Sequence, residues 1–452
     1  MINYYPSFNH LLREFTILGG NQCGIMQGFT VPVVSSPPDP YLKSITGRMP
    51  NYHKLVLKNP TAEMQYHLSG YGMYYEEAMV KYMGESIERY STVVSTHLAK
   101  DRIIYASYED ISKKNNAMPL EYLNIYTAEQ QIQLSNLLPA IEPRHATNKD
   151  IIGWVKCYSL MNPGEEIWVP SQMIFVGFKK NAEKGEKMFV PSFSTGTASH
   201  RTIKEALFNA LLEYIQIDAF IIKWYTKMPS KKVIIDGSTI LHILKKIKLG
   251  DDSSYEVIPL YLTHDIEIPI FGVFLKRKDK KIPYILFGVQ GDLDAYNALL
   301  RGTMESAAIL SLGYYHALYD PEMYNMADYN SAYTDLDTNV LFYASPKNYE
   351  KKDNIINELI KDEINLSSLK TQGKTSDINT RIEYIIKELS KVSKYAVYLD
   401  MTPPEVSEMG WHVIRVFIPE ICGMCLPGFP FGNHPRIKKF GGIKNEFPHP
   451  LP

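Results

Sequence analysis

Acidic side chains and an arginine recur at helical spacing near residue 85. The sequence there reads G-E-S-I-E-R-Y, and Glu85, Glu88 and Arg89 are spaced i, i+3 and i+4. Residues at these intervals project from one face of an α-helix. Clustered carboxylates suit Mg²⁺, a hard cation that, when it is bound to phosphate, is usually held by one or two carboxylates plus waters. Solvent-facing salt bridges, each worth about 0.3 kcal/mol, are the alternative interpretation, and spacing alone favours them.

A second acidic stripe lies further along the chain. Glu205, Asn209, Glu213 and Gln216 follow one another at intervals of four, four and three residues, with apolar residues beside them. An acidic stripe that borders an apolar one can line a cleft, because the apolar side has to be buried. Two helices that each offer a pair of acidic or amide groups could hold Mg²⁺ ions on a nucleotide.

The segment from Ser194 to His200 consists mainly of small residues and precedes the second stripe. Such a loop at the start of a helix lets backbone N–H groups approach an anion, with support from the helix dipole. Small residues are also common helix caps, and the chain contains no G-x-x-x-x-G-K-[ST] loop. Arg301 and Glu305 form a further i, i+4 pair, which alone indicates an ordinary ion pair.

Composition and charge exclude several other classes of function. Lys and Arg number 48 against 49 Asp and Glu, so the net charge of −1 gives no overall attraction to nucleic acid or to an anionic membrane. No segment is apolar for long enough to span a bilayer, and the start of the chain does not resemble a secretory signal. The motifs G-x-S-x-G, H-E-x-x-H and G-x-G-x-x-G are absent. The four cysteines include a C-x-x-C pair, Cys422 and Cys425, which we interpret as unlinked thiols of a cytoplasmic protein.

Hydrophobic periodicity predicts the elements that position these residues. Long helices at about residues 74–96 and 202–224 carry the two acidic stripes, and a helix at about 295–312 carries Arg301. The predicted strands are 154–158, 167–178, 233–235, 257–262, 270–275, 285–290 and 411–418. The other segments are an irregular or short-stranded lead-in at 1–65, a helical surface region at 349–393 with a polar break at 372–376, and a Pro/Gly-rich tail at 427–452. The predicted class is mixed α/β, with one catalytic domain over residues 66–452.

Taken together, these segments resemble the YcaO family. Its first block, a glycine-rich turn followed by a helix that bears S-x-x-x-E-x-x-E-R, is similar to S-G-Y-G from Ser69 and E-S-I-E-R-Y from Glu85. The segment Ser194–Phe220 is similar to the second block, a small-residue loop before a helix that ends in E-x-x-E-R-D-A. Arg301–Glu305 resembles the third block. The strand at 400–419 and the ending P-H-P-L-P resemble the C-terminal strand and the P-x-P-x-P terminus of the family.

The resemblance implies a YcaO-type fold with antiparallel and mixed sheets, in which acidic helices line a cleft for ATP and Mg²⁺. The metal contacts that it implies are Glu85, Glu88, Glu213 and Gln216. The nucleotide contacts that it implies are Arg89, Ser194, Glu205, Arg301 and Glu305. The ending lies near the active site in azoline-forming members, so the residues assigned to catalysis are Pro448, Pro450 and Pro452. A proline-rich end is a stiff, extended segment whose terminus can be placed with little loss of entropy.

At a few positions the chain departs from the pattern of the family. Gln216 stands where many members have Glu, and Ile217 stands where Arg is common. Lys81 occupies the usual Ser position of the first helix, and Tyr71 replaces a common Lys in the glycine-rich turn. A glutamine still offers an oxygen ligand with one charge fewer, whereas the other three changes affect individual nucleotide contacts.

The azoline-forming members of the family imply a reaction on a precursor peptide. A Cys, Ser or Thr side chain attacks the preceding backbone carbonyl, the oxyanion takes the γ-phosphoryl group of ATP, and phosphate leaves with the former carbonyl oxygen. The alternatives are an enzyme that forms thioamides or amidines and a silent docking scaffold. The P-x-P-x-P ending argues against the first, and the retained Glu85, Glu88, Glu213 and Arg301 argue against the second.

The opening M-I-N-Y-Y-P-S-F-N-H and the length are similar to the D component of streptolysin S-type toxin synthetases. There the peptide is a cytolysin or bacteriocin precursor. This similarity implies a separate E1-like partner protein that binds the leader of the precursor peptide. It also implies a separate flavin-dependent dehydrogenase that oxidises azolines to azoles. No flavin-binding motif is visible in this chain.

Overall fold

The computed structural model describes residues 7–20, 24–26, 39–50, 67–319, 322, 334, 336–371 and 377–452. Its helices are α1 (Phe8–Leu18), α2 (Tyr75–Leu98), α3 (Tyr108–Ser112), α4 (Ala128–Leu137), α5 (Ser171–Ile174), α6 (Ile203–Thr226), α7 (Ser238–Lys246), α8 (Ala295–Ala308), α9 (Leu310–Tyr319), α10 (Thr338–Ala344), α11 (Tyr349–Leu359), α12 (Ile378–Leu389), α13 (Pro404–Glu408) and α14 (Pro435–Lys439). Its strands are β1 (Lys43–Arg48), β2 (His67–Gly72), β3 (Ile104–Ala106), β4 (Ile152–Ser159), β5 (Glu166–Pro170), β6 (Thr197–His200), β7 (Ser230–Ile234), β8 (Tyr255–Tyr261), β9 (Ile270–Arg277), β10 (Ile285–Gly291), β11 (Ile360–Asn365), β12 (Val397–Asp400) and β13 (His412–Phe417).

The strands in the described part of the chain form two larger sheets and one two-stranded sheet. The six-stranded sheet has the order β3-β4-β12-β13-β6, with β5 also paired to β4, and the five-stranded sheet has the order β10-β9-β8-β7-β11. β1 and β2 pair with each other. These pairings are antiparallel except that of β11 with β7, which is parallel. Helices that are long and apolar enough to cross a membrane do not occur in the described ranges.

The helix α6 lies between the two larger sheets and forms the centre of the core. Its residues from Tyr214 to Thr226 are all buried, and most of them are apolar. The Tyr214 ring packs edge-on against Phe417 of the six-stranded sheet, with 6.3 Å between the centroids. Phe220 packs against Phe287 of the five-stranded sheet at 4.8 Å. Because α6 is fixed from both sides, its polar side chains have defined positions.

The helix α2 packs against both the β1–β2 pair and the edge of the six-stranded sheet. A Cβ atom at Gly70 would lie 1.9 Å from the Ala78 carbonyl oxygen, so only glycine lets β2 come this close to α2. On the other side, the Ser199 hydroxyl of β6 donates to the Gly84 carbonyl oxygen of α2 at 2.6 Å. The helix α8 packs on β9 and β10 and also contacts β2. The helices α2, α6 and α8 therefore converge on one region of the molecule.

The Pro/Gly-rich tail returns to the C-terminal half of α6 and is held there by a buried ion pair. Arg436 Nε of α14 donates to Asp218 Oδ1 of α6 at 2.7 Å, and both side chains are almost completely buried. Asp265, which follows β8, also accepts from Arg436 Nη2 at 2.8 Å. Further along, Trp224 Nε1 donates to the Phe447 carbonyl oxygen at 3.1 Å. The tail is therefore part of the core of the protein.

The predicted class, mixed α/β, is confirmed by this architecture. The two long helices that carry the acidic stripes lie where the sequence predicts them, at Tyr75–Leu98 and Ile203–Thr226. The predicted helix at 295–312 is divided, because α8 ends at Ala308 and α9 begins at Leu310. The predicted boundary at residue 65 stays a prediction, since residues 51–66 lie outside the described ranges.

The structure corrects the prediction at two further segments. The predicted strand 167–178 ends at Pro170, and α5 follows, since proline cannot donate to a strand ladder. The region 349–393 is not helical throughout, because β11 pairs with β7 and this tertiary pairing overrides local propensity. The region also does not lie wholly on the surface, since α11 and α12 bury Ile355, Ile356, Leu359, Ile382, Ile385 and Leu389. The predicted break at 372–376 lies outside the described residues.

The lead-in segment contains a helix, α1, that the sequence prediction missed. The Ser7 hydroxyl caps this helix and accepts from the His10 N–H at 3.4 Å. Apolar residues at positions 8, 11, 12, 15 and 18 follow the spacing of an amphipathic helix, so the signal was present in the sequence.

Candidate active site

One face of α2 carries a row of charged residues, three acidic and one basic, at intervals of four, four and three residues: Glu77, Lys81, Glu85 and Glu88. The Glu85 carboxylate accepts from the Ser69 N–H of β2 at 2.7 Å. Its other oxygen lies 3.6 Å from Arg89 Nη2, and Arg89 also pairs with Glu88. The structure therefore brings Glu85, Glu88 and Arg89 together on the face that packs towards β2 and α6.

Glu88 of α2 interacts electrostatically with Glu213 of α6. Burial raises the pKa of Glu88 to about 8; Arg89 lowers it, and repulsion by Glu213 raises it further. Burial also raises the pKa of Glu213 to about 7, although Arg89 and Arg415 lower it. Two half-buried carboxylates that repel each other form a site where an added cation is stabilising.

Arg415 of β13 lies next to this carboxylate pair and was not predicted. Its Nη1 donates to the Thr195 carbonyl oxygen at 2.7 Å and to the Thr197 hydroxyl at 2.9 Å, and its Nη2 donates to the Phe193 carbonyl oxygen at 2.6 Å. The guanidinium thus places positive charge beside Glu213 and fixes the small-residue segment. The one signal in the sequence is that Arg415 interrupts a mostly apolar strand, W-H-V-I-R-V-F-I. Such a strand is expected to be buried, and a charged side chain is rarely buried without a partner.

The small-residue segment Ser194–His200 does not lead directly into a helix. Thr197–His200 forms β6, and α6 begins after Thr202, whose hydroxyl accepts from the Glu205 N–H at 3.2 Å. The predicted placement of this loop at the N-terminus of a helix was therefore wrong. The physical reason is that pairing with β13 extends the segment and separates it from α6.

The turn before β6 instead contacts the carboxylate pair. Gly196 has a φ of +82°, and a Cβ atom there would lie 2.5 Å from the Val416 carbonyl oxygen. The Gly196 N–H donates to the Glu213 carboxylate, which lowers the pKa of Glu213. The Ser194 carbonyl oxygen accepts from the Thr197 N–H at 3.0 Å and closes the turn. Ser194 therefore lies within a few residues of the site, and its contact with the nucleotide stays a prediction.

Glu205 and Gln216, the outer members of the α6 stripe, contact other groups. Glu205 lies two helical turns, about 12 Å along the axis, before Glu213. Its Oε2 is 2.8 Å from His200 Nδ1, and its side chain is 45% exposed. Gln216 Oε1 accepts from the Gly291 N–H at 2.8 Å and so holds the end of β10. The nucleotide contact of Glu205 and the metal contact of Gln216 stay predictions.

The helix α8 supplies an arginine and a further half-buried glutamate. Glu305 Oε2 accepts from the Val289 N–H of β10 at 2.8 Å, and burial raises the pKa of Glu305 to about 7. Arg301, one turn earlier, lies 3.6 Å from Asp292 Oδ2 and is 41% exposed. Both Arg301 and Glu305 interact electrostatically with Lys81 of α2. The structure therefore brings α8 to the charged face of α2.

The prolines at the end of the tail lie beside α6 and α10. Pro448 and Pro450 are buried, and Pro452 is half-buried. Asn339 Nδ2 of α10 donates to the carbonyl oxygens of His449 and Leu451 at 2.7 and 2.6 Å. The Tyr343 hydroxyl donates to the Pro448 carbonyl oxygen at 2.7 Å. The end of the tail is thus an extended segment in a fixed position, and its catalytic role stays a prediction.

The oxygen ligands at this site fit a Mg²⁺ ion that is shared with phosphate groups. In the part of the chain that the structure describes, no three His, Cys, Asp or Glu side chains lie close enough together to hold a metal alone. Mg²⁺ on a nucleotide usually takes one or two protein carboxylates, and phosphates and waters complete its octahedron. Glu88 and Glu213 offer such a pair, because burial disfavours their charge in the absence of a cation.

Comparison of the sequence with protein-family profiles shows the family to which this chain belongs. The family profile described as YcaO cyclodehydratase, ATP- and Mg²⁺-binding, matches residues 69–422. The chain belongs to the YcaO family. Members of that family are described as cyclodehydratases that bind ATP and Mg²⁺. The matched range of this YcaO chain contains α2, α6 and α8. In a separate comparison, no curated protein sequence matches the chain significantly.

Solved structures with the same fold are distant in sequence. A heterocyclase in complex with substrate and cofactor has a TM-score of 0.71 at 16% identity; the match covers 98% of this chain and 56% of that one, so the YcaO chain spans little more than half of its length. YcaO from Methanopyrus kandleri, bound with AMPPCP and Mg²⁺, has a TM-score of 0.61 at 15% identity, over 92% of this chain and 94% of that one. The E. coli microcin synthetase McbBCD complex with pro-MccB17 bound has a TM-score of 0.62 at 14% identity, over 100% of both chains.

The raised pKa values predict that the stability of the nucleotide-free protein depends on pH. Glu88, Glu213 and Glu305 bind protons more tightly in the folded state, so their stabilising effect is complete below the ordinary value of 4.5 and is lost as the pH rises through about 7 to 8. Burial lowers the pKa of His434 and His449 from 6.5 to about 4. These two groups therefore increase the free energy of unfolding as the pH rises, but only up to about pH 6.5. We expect urea titrations to give a free energy of unfolding that falls on the order of 1–3 kcal/mol between pH 6.5 and 8.

A matched variant tests the origin of this pH dependence. Glu88→Gln removes one of the three titrating groups, so the fall in the free energy of unfolding is expected to be smaller. An identical fall in the variant and in the parent would contradict the assignment to the carboxylate cluster.

Proposed function

We propose that this chain converts Cys, Ser or Thr residues of a ribosomally made precursor peptide into thiazoline or oxazoline rings. The observation that carries the proposal is the cluster of half-buried carboxylates and arginines between α2, α6 and α8, above all Glu88 and Glu213 with Arg89 and the buried Arg415 beside them. Opposite charges packed in this way suit the stabilisation of a phosphoryl group in transfer, which needs both cations and metal-binding carboxylates.

The reaction follows from the chemistry of a peptide carbonyl, whose oxygen is a poor leaving group. The side chain of the substrate residue adds to the preceding carbonyl carbon and loses its proton. The carbonyl oxygen, now an oxyanion, takes the γ-phosphoryl group of ATP, and ADP is released. The C–O bond then breaks, phosphate departs with the former carbonyl oxygen, and the amide proton is lost as the ring C=N bond forms. Each ring therefore costs one ATP, and the peptide loses the elements of one water.

The residues of the chain hold and orient the groups that react. Glu88 and Glu213 are the carboxylates that would hold Mg²⁺, which supplies charge neutralisation at the phosphoryl oxygens. Arg301 is 41% exposed and extends into the same region, so that its guanidinium can pair with phosphate in the geometry that favours arginine. Arg415 orients the turn around Gly196 and holds Glu213 in place through that turn.

The proposal includes partners and a biological setting. The E. coli microcin synthetase McbBCD structure is a complex of several proteins with pro-MccB17 bound, and this chain covers 100% of the compared chain there. We propose by analogy that an E1-like partner presents the leader of the precursor peptide and that a flavin-dependent dehydrogenase oxidises the rings. The setting that we propose is the biosynthesis of a cytolysin or bacteriocin of the streptolysin S type, in the cytoplasm.

The experiment that tests this proposal is mass spectrometry of a precursor peptide incubated with the chain, its leader-binding partner, ATP and Mg²⁺. We expect successive losses of the mass of one water, each dependent on ATP. A precursor of unchanged mass together with no consumption of ATP would contradict the proposal. A product with one sulfur atom in place of oxygen would identify thioamide formation instead.

Removal of the last two residues, Leu451 and Pro452, is expected to impair ring formation more than nucleotide binding. The reason is that Asn339 holds the Leu451 carbonyl oxygen and thereby fixes the end of the tail. A misplaced catalytic segment typically costs about 100-fold in rate. We expect ring formation to slow by about this factor, while the Kd for Mg²⁺-AMPPCP changes less than about twofold. Equal losses in rate and in nucleotide affinity would show that the tail acts only through the nucleotide site.

A further inference from the structure

Lys81 occupies a central position in the charged row of α2. Its Nζ donates to Glu77 Oε1 at 2.9 Å, one turn earlier in the helix, and lies 4.4 Å from the centre of the Tyr71 ring. Glu85 and Glu88, which form the carboxylate part of the site, follow one and two turns later on the same face. The ammonium therefore lies between the glycine-rich strand β2 and the site at which phosphate is expected.

The elements around Lys81 hold its ammonium in a defined position. A Cβ atom at Gly72 would lie 2.3 Å from Glu77 Oε2, so glycines on both sides of Tyr71 allow β2 to lie directly on α2. Glu77 Oε2 also accepts from the Met73 N–H at 3.0 Å, which leaves its second oxygen for Lys81. Contact with an aromatic face adds an electrostatic attraction for the lysine.

The ammonium is both enclosed by protein and accessible. Burial lowers the pKa of Lys81, and Arg301 of α8 lowers it further, whereas Glu77 and Glu305 raise it. The side chain is nevertheless 35% exposed, as expected for a group that lines an open cleft. An ammonium has three N–H donors, and within the described residues one of them is used, by Glu77. Two donors are therefore available for an anion that enters the cleft.

Tyr71 of β2 and Lys81 of α2 support each other at this point. The structure places the two side chains in contact, so the tyrosine ring helps to fix the position of the ammonium. The strand and the helix that line this part of the cleft therefore present a cation there.

We propose that Lys81 binds an anionic oxygen of the phosphate chain of the nucleotide. The proposal rests on the nucleotide site described above and not on the ring chemistry. A lysine acts on phosphate as a compact charge with several donors, so its position matters more than the element that carries it. A lysine at position 71 of β2, beside the present ammonium, is therefore expected to serve the same purpose.

Titration calorimetry with Mg²⁺-AMPPCP, in the full chain, tests this proposal. We expect Lys81→Met to weaken binding by about 10- to 100-fold, the equivalent of one charge-assisted hydrogen bond. The matched control is Lys113→Met, because Lys113 pairs with Glu109 at the same i, i+4 spacing on an exposed helix at 3.3 Å. The control is expected to leave the Kd unchanged.

The exchange of the two residues provides the decisive comparison. K81S alone is expected to weaken binding as Lys81→Met does, and the double variant Y71K/K81S is expected to recover the parent affinity to within about fivefold. Urea unfolding of each variant separates a loss of folding from a loss of binding. Parent-like affinity in Lys81→Met, or a double variant that binds no better than K81S, would overturn the proposal. A parent chain that does not bind Mg²⁺-AMPPCP would instead contradict the nucleotide site itself.

Discussion

Replacement of Glu213 by glutamine is expected to abolish ATP-dependent chemistry in a protein that still folds. Glutamine keeps the size of the side chain and an oxygen atom, but it removes the negative charge that Mg²⁺ needs. Glu213 is half-buried beside Arg89 and Arg415, so solvent compensates for the loss only in part. We expect ATP consumption in the presence of precursor peptide and partner to fall by about 10³-fold or more.

Stability provides the internal check on the Glu213 experiment. Because burial raises the pKa of Glu213, a neutral glutamine is expected to leave the free energy of unfolding at pH 8 unchanged or higher. Glu383→Gln, at an exposed position on α12, is the matched control and is expected to retain full activity. Glu213→Gln with more than about a tenth of the parent rate would contradict the assignment of Glu213 to the metal site.

Replacement of Arg436 by methionine is expected to give the largest loss of stability in the chain. The variant leaves Asp218 buried without its cation, and breaking a buried pair on one side typically costs about 3–5 kcal/mol. Arg436 also donates to Asp265, so one substitution releases the tail from both α6 and the segment after β8. We expect urea unfolding to show a loss of this size, and the fluorescence of Trp224, which binds the tail backbone, to report the release.

A second ion pair shows whether burial is the cause of this loss. Arg144 and Asp150 also form two parallel hydrogen bonds, at 2.8 and 2.7 Å, but the Arg144 side chain is 47% exposed. Arg144→Met is therefore expected to cost about 1 kcal/mol or less. Replacing both members of the buried pair by apolar residues, as in D218L/R436M, is expected to cost less than Arg436→Met alone. Equal effects of the exposed and the buried substitution would contradict this explanation.

The helical parts of the site could be predicted because their signal is local. The spacing of Glu85, Glu88 and Arg89 on α2 and that of Glu213 on α6 follow from 3.6 residues per turn, and the structure retains both. Gln216 belongs to the same stripe, but its amide binds the Gly291 N–H. Spacing gives the face of a helix on which a side chain lies and not the group that this side chain contacts.

The parts that could not be predicted depend on contacts between distant segments. Arg415 reaches the turn around Gly196 because β13 pairs with β6, and nothing near either residue in the sequence indicates this pairing. Because of the same pairing, Thr197–His200 forms a strand where the sequence predicted a loop that leads into a helix. Tyr71 and Lys81 likewise lie in different elements, and only the packing of β2 on α2 brings them into contact.

The measurement that tests the central claim most directly follows the carbonyl oxygen of the peptide. A precursor peptide that carries a heavy oxygen isotope at the carbonyl before the reactive residue is incubated with the chain, its leader-binding partner, ATP and Mg²⁺. If the site between α2, α6 and α8 transfers the γ-phosphoryl group to that oxygen, the isotope appears in inorganic phosphate, one atom for each ring formed. Rings that form while the isotope is recovered in water would contradict the account.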